Sequence, residues 1–179
     1  MRDTLVKEIM IPIADYVTVK KEHNLTDVLH ALEKKRQTHG GHAHRDAIVV
    51  DEEGRFVGKV TIIDIFRSLE PNYRKVRREQ KGQTLTDGFV KEAIKEFKLW
   101  MEPAEDICQR GSKVMVAEAM HVPEKSEYIQ ESDTLEKALS FFVMGVHQPL
   151  IVNNGDTVTG VLRFGDLFEV IRKGLLSCD

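Results

Sequence analysis

Apolar positions along this chain follow two periods, one helical and one strand-like, and each patterned stretch occurs twice. Leu25, Val28, Leu29 and Leu32 fall at helical spacing on one face, with Asn24 before them as an N-cap. The stripe returns 110 residues later at Leu135, Ala138, Leu139 and Phe142, behind a capping-box-like start at Asp133 and Glu136. Strand-type runs flank both stripes. Tyr16 to Val19 and Tyr128 to Ile129 precede them, while Ala47-Ile48-Val49-Val50-Asp51 and Pro149-Leu150-Ile151-Val152-Asn153 follow. A turn comes next, Asp51-Glu52-Glu53-Gly54 or Asn153-Asn154-Gly155-Asp156, then a second strand and a closing helix. The closing stretches, Gly58-Lys59-Val60-Thr61-Ile62-Ile63-Asp64-Ile65-Phe66 and Gly160-Val161-Leu162-Arg163-Phe164-Gly165-Asp166-Leu167-Phe168, lie 102 residues apart. The chain is therefore a duplication of β-α-β-β-α halves. An opening phrase precedes each half: residues 4 to 12 form a short helical turn stopped by Pro12, echoed by Val116-Ala117-Glu118-Ala119-Met120-His121-Val122-Pro123.

The change of offset from 110 to 102 gives the first half eight extra residues, within Arg36 to Arg45. That insertion is glycine-rich and holds His39, His42 and His44. Imidazoles can gather a transition metal, but no carboxylate or cysteine stands beside these, and flexible glycines do not preorganise ligands. A mobile polar loop, or a lid over a neighbouring cleft, is the favoured reading. Pro71 ends the first half, and Asn72 to Thr84 reads as a solvated basic linker. From about Thr86 to Met101, Phe89, Val90, Ala93, Ile94, Phe97 and Met101 form the apolar stripe of a further helix, stopped by Pro103. The stretch to about Val114 has no clear period and reads as loop. The expected division is 1–70, a linker 71–111 and 112–179.

Composition narrows the function classes. Of 179 residues 41% are hydrophobic, enough for one compact unit or two small ones sharing a core. A net charge of −3 gives no general attraction to nucleic acid or an anionic membrane, and the basic run Arg74 to Lys81 lacks interleaved aromatics beyond Tyr73. Cys108 and Cys178 form no metal spacing, which suits a reducing cytosol. No apolar run approaches the roughly 18 residues needed to span a bilayer. There is no nucleophile motif, Walker loop, G-x-G-x-x-G or H-E-x-x-H, so the sequence argues for a binder, not an enzyme.

The chemistry lies at the two closing corners, where a glycine-bearing strand turns into a helix whose third residue is an aspartate. A carboxylate beside backbone N–H groups suits a ribose and a phosphate. Thr61 and Asp64 have a plainer use as well, since Thr-x-x-Asp can cap a helix without any ligand. The twice-repeated opening phrase, helix pattern, Pro/Ala-initiated strand and closing Gly-h-h-(Thr/Ser)-x-x-Asp, with h apolar, resemble a tandem pair of cystathionine β-synthase (CBS) domains, a Bateman module. The resemblance covers roughly residues 4 to 70 and 112 to 176. It implies an α+β fold of two repeats packed about a pseudo-two-fold axis, here with an extra linker helix, and two inter-domain clefts for adenosine nucleotides. By that resemblance Asp64 and Asp166 hold ribose, with Thr61 nearby. Val116, Met120 and His121 line the Asp64 cleft, and Met10 and Ile11 the Asp166 cleft. Arg45 and His147 face phosphates, beside the strand-opening Ala47 and Pro149. Arg163 departs from the family pattern of Thr or Ser, and either grips a phosphate or blocks the second cleft.

The reading is a free-standing regulatory module that senses AMP, ADP or ATP, with or without magnesium, and signals to an unidentified partner. It needs no cofactor. A homodimer is expected, through the closing-helix faces around Ile65, Phe66 and Leu69 and around Leu167, Phe168 and Ile171. The alternative is a dimeric structural module whose clefts are empty or metal-lined.

Overall fold

A computed structural model describes residues 4–39, 45–80, 82 and 84–177. The fold is α+β, with two sheets and eight α-helices among the described residues. Each half folds as its periods predict. In the first, β2 (Thr18–Lys20), α1 (Leu25–His39), β3 (Asp46–Val50), β4 (Phe56–Thr61) and α2 (Ile62–Leu69) follow in order. In the second, the order is β5 (Tyr128–Gln130), α7 (Leu135–Val143), β6 (Leu150–Asn154), β7 (Thr157–Leu162) and α8 (Phe164–Leu176). The first sheet runs β2-β3-β4, and the second runs β1 (Ile11–Pro12), then β7, β6 and β5. Both hairpins turn on a glycine in the left-handed region, Gly54 at φ 77° and Gly155 at φ 61°, where a side chain would be strained.

By contact the chain divides into two compact units, Val19–His121 and a second made of Met1–Thr18 with Val122–Asp179. Each opening phrase thus sits with the other half's closing strand. In the first unit α6 (Val116–Ala119) leads to His121, whose backbone exchanges hydrogen bonds of 2.8 and 2.9 Å with Lys59 on β4. In the second, Ile11 pairs with Val161 and Pro12 with Gly160 on β7. These crossings explain the recurrent glycine without a ligand. A Cβ on Gly58 would meet the His121 carbonyl oxygen at 2.9 Å and Met120 Sδ at 3.2 Å, and one on Gly160 the Ile11 oxygen at 2.7 Å and Met10 Sδ at 3.0 Å.

Several sequence expectations are corrected by local chemistry. The inserted segment does not start as loop: its first four residues, Arg36 to His39, continue α1, steadied by Glu33, which accepts from Arg36 and Gln37. Those donors hold the Glu33 carboxyl down at about 2. His42 and His44, with Gly40 and Gly41, and the His39 side chain lie outside the described residues, so the lid and metal readings go no further. The N-cap of α7 is Thr134, not Asp133. Asp133 instead accepts from the Gln130 amide and the Lys137 ammonium.

The linker is more ordered than its composition suggests. The basic stretch carries α3 (Tyr73–Glu79), whose Val76 is buried, and the stretch read as loop carries α5 (Ala104–Lys113). Between them, α4 (Asp87–Glu96) stops short of the expected Met101, because Lys98 and Trp100 take positive φ of 50° and 59°. Val76, Ala93 and Leu99 make a small core of their own. Buried Glu70, at the C-terminus of α2, fastens this region: its carboxylate accepts the Trp100 amide at 2.7 Å and the Asn72 amide at 3.1 Å. Arg110 on α5 donates to the Leu69 carbonyl and to Glu102. Ile65 and Leu167 also differ from expectation, being buried in their own units and not on an outer face. No helix among the described residues is long and apolar enough to cross a membrane.

Two measurements check this account. Gly58→Ala and Gly160→Ala should each cost about 1–3 kcal/mol in urea denaturation, because the added carbon meets backbone. Gly165→Ala, with nothing within 4 Å of its new Cβ, should be neutral or stabilise by up to about 1 kcal/mol. If all three behave alike, the crossings do not set the glycines. Glu70→Ala should cost about 1–3 kcal/mol by orphaning the Trp100 and Asn72 amides, and an unchanged denaturation midpoint would show that they find other acceptors.

Candidate functional site

The antiparallel register brings the start of β3 and the end of β4 to one edge of the sheet, with Asp46 opposite Thr61 and Ala47 opposite Val60. Exposed Arg45 stands at that edge, just before β3, while Ala47 is buried. Where β4 ends, Thr61 caps α2: its Oγ1 accepts the Asp64 amide at 3.3 Å. Asp64 Oδ2 in return accepts from the Thr61 amide at 2.9 Å and the Thr61 hydroxyl at 2.6 Å. This is a full capping box, buried on both sides. It occupies one carboxylate oxygen. The other, Oδ1, has only a long ion pair to Arg67 at 4.0 Å among the described residues. Met120 and His121, brought in by the crossing over Gly58, complete this corner within the same unit. Buried Val116 lies one turn earlier, on α6.

The second corner has the same backbone and a carboxylate engaged differently. Leu150 opposite Leu162 puts Pro149 and Arg163 at one edge, and Met10 and Ile11 cross over Gly160. Arg163 is the N-cap of α8 but makes no side-chain cap. Its fork closes on Asp166, Nε to Oδ2 at 2.7 Å and Nη2 to Oδ1 at 2.6 Å. Both carboxylate oxygens are therefore engaged, in the bidentate geometry that makes such pairs strong. A phosphate drawn to Arg163 has to share its guanidinium with Asp166. His147 stands half-buried before β6, its Nδ1 3.7 Å from Oε2 of the buried Glu127.

Three residues at these corners escape a reading by motif. Lys59 is fully buried on β4 where the second half has Val161, and a lone lysine in an apolar run is the sequence signal for it. Arg67 sits three residues after Asp64, a spacing that puts both on one helix face. Glu127 accepts the Glu124 amide at 3.0 Å, a local capping contact that no period reveals.

The comparisons agree with this architecture. Residues 6–71 match the family model of the CBS domain. No curated protein matches the chain. A CBS domain-containing protein of unknown function from Bacillus anthracis is similar in structure, with 15% identity, a TM-score of 0.62 and coverage of 96% of this chain and 95% of that one. CBSX2 in complex with AMP gives 18% identity, a TM-score of 0.60 and coverage of 94% and 97%, and CBSX2 is a CBS-pair protein from Arabidopsis thaliana. The CBS domain of a bacterial CNNM/CorC family Mg2+ transporter in complex with ATP gives 18%, 0.59, 94% and 87%. The duplicated β-α-β-β-α halves, the exchanged opening phrases and these matches lead to one conclusion: residues 6–71 match the CBS domain, and the chain as a whole has the fold of a CBS-domain pair.

Proposed function

We propose that this chain is a regulatory, non-catalytic module that binds an adenosine nucleotide at the Asp64 corner and transmits the occupied state to a partner protein. One observation carries the reading: Asp64 Oδ1 has no close partner among the described residues, although its sister oxygen is doubly hydrogen-bonded. A carboxylate oxygen fixed in this way accepts a ribose hydroxyl without dismantling the helix cap, because the two tasks use different oxygens. The AMP and ATP complexes of two structural neighbours support the class of ligand. Regulation further requires that the ligand favour one of two states of the module.

The Arg163–Asp166 fork makes the second corner the poorer site. In calorimetry with AMP and ATP, wild type should bind one equivalent, Asp64→Ala none, and Asp166→Ala one. Nucleotide at about 100 times its dissociation constant should add roughly 2.7 kcal/mol to stability. The reading fails if millimolar adenosine nucleotides leave the melting temperature unmoved, or if Asp64→Ala binds as wild type does. Arg163→Ala, by releasing Asp166, should raise the stoichiometry from one towards two.

For assembly, we propose an isologous homodimer through α8, whose Phe164 and Phe168 are exposed. Light scattering should give twice 20.4 kDa, and Phe168→Glu should return it to 20.4 kDa. A wild-type mass of 20.4 kDa at tens of micromolar would end this proposal.

A further inference from the structure

We propose that the groove formed by α2, α3 and α4 binds a small amphiphile, an aliphatic chain carrying an anionic head such as a carboxylate. The groove has a volume of about 570 Å³, within the range of small-molecule sites. Its walls are Ile63 and Phe66 of α2, Val90 and Ile94 of α4, and Leu85 and Trp100. All six are large apolar side chains left exposed, Leu85 at 64%. Single exposed apolar residues are ordinary, but six around one concavity form the kind of patch that marks a binding site. Beneath them lie Val76, Ala93 and Leu99, so a chain entering the groove meets apolar atoms throughout.

The groove is propped open. Trp100 is fixed by its amide on Glu70, by its indole N–H donating to the Tyr73 hydroxyl at 3.0 Å, and by an edge-on contact with Phe66 at 6.1 Å. A wall held at three points does not collapse to bury its own surface, and a preformed site spares its ligand the cost of ordering it.

Charge selects the head group. Both charged side chains lining the groove are arginines, Arg67 and Arg77, and no carboxylate lines it among the described residues. A protein of net charge −3 thus places two guanidinium groups beside an apolar floor. Guanidinium donors match a planar carboxylate in pairs. A cationic head is repelled there, and a neutral one adds no counter-charge to the forks, of which only Arg67 has a carboxylate nearby among the described residues, Asp64 at 4.0 Å. A second copy of this chain is the competing occupant, and nothing in the arginine pair selects for it.

Trp100 is the only tryptophan, so its emission reports from the groove wall. Decanoate, titrated into the whole protein below its micellar range, should change that emission saturably at one equivalent without changing the mass by light scattering. Decanol and decyltrimethylammonium should bind at least about tenfold more weakly, the scale of a charged hydrogen bond. Arg67→Gln with Arg77→Gln should lower decanoate to the affinity of decanol, while Ile94→Gln, at an exposed wall position, should weaken all three. No saturable change, or equal affinities for the three probes, overturns the proposal. So does a mass that falls from dimer to monomer as decanoate binds, which would assign the groove to a second copy. No nucleotide is present in this titration, so its outcome is independent of the Asp64 reading.

Discussion

Each unit depends on a backbone crossing that leaves no room for a side chain. The opening phrase of one half passes so close over the closing strand of the other that a Cβ at Gly58 or Gly160 would stand under 3 Å from a carbonyl oxygen. Close approach fixes everything downstream. It sets which sulfur and which peptide flank each strand end, and so what surrounds the helix that starts four residues after the glycine. The glycines are a packing requirement first. Any ligand chemistry at the corners is built on a geometry that exists without it.

On that shared frame one residue decides the character of the corner. Thr61 satisfies its helix through a short hydroxyl and leaves half of Asp64 uncommitted. Arg163, on the same backbone, reaches past the amides and takes the whole carboxylate. Duplication has thus produced two corners on one backbone pattern whose carboxylates differ in availability. The difference comes from side-chain length and charge, since the strand register and helix start are kept.

The duplicated elements were legible because they are long enough for a period to show and because each was written twice. What stayed hidden lacks a period. α3 and α5 bury one residue each, Val76 and Gly111, and are held by point contacts such as Arg110 on the Leu69 carbonyl. The extension of α1 rests on surface pairs around Glu33, which look like any charged loop in sequence. At α7 two adjacent residues could serve as the cap, and Asp133 is diverted by the Gln130 amide, so the boundary fell one residue off. The i,i+3 spacing of Arg163 and Asp166 was visible, but sequence does not say whether an arginine turns to its own carboxylate or outwards. The exchange of opening phrases was expected from family resemblance alone, because no local pattern links residues so far apart.

The division into units also orders events in time. Val19–His121 is one continuous stretch, so it can close while the rest of the chain is still being synthesised. The other unit is discontinuous. Ile11 must wait for Val161, 150 positions later, whereas Lys59 meets His121 after 62. In closure entropy that difference costs only about 0.8 kcal/mol. In order of emergence it is decisive, because the phrase around Ile11 leaves the ribosome long before the strand it pairs with. Until then the β7-binding phrase is a solvent-exposed passenger, and the interval before β7 appears is when a chaperone or protease would meet it.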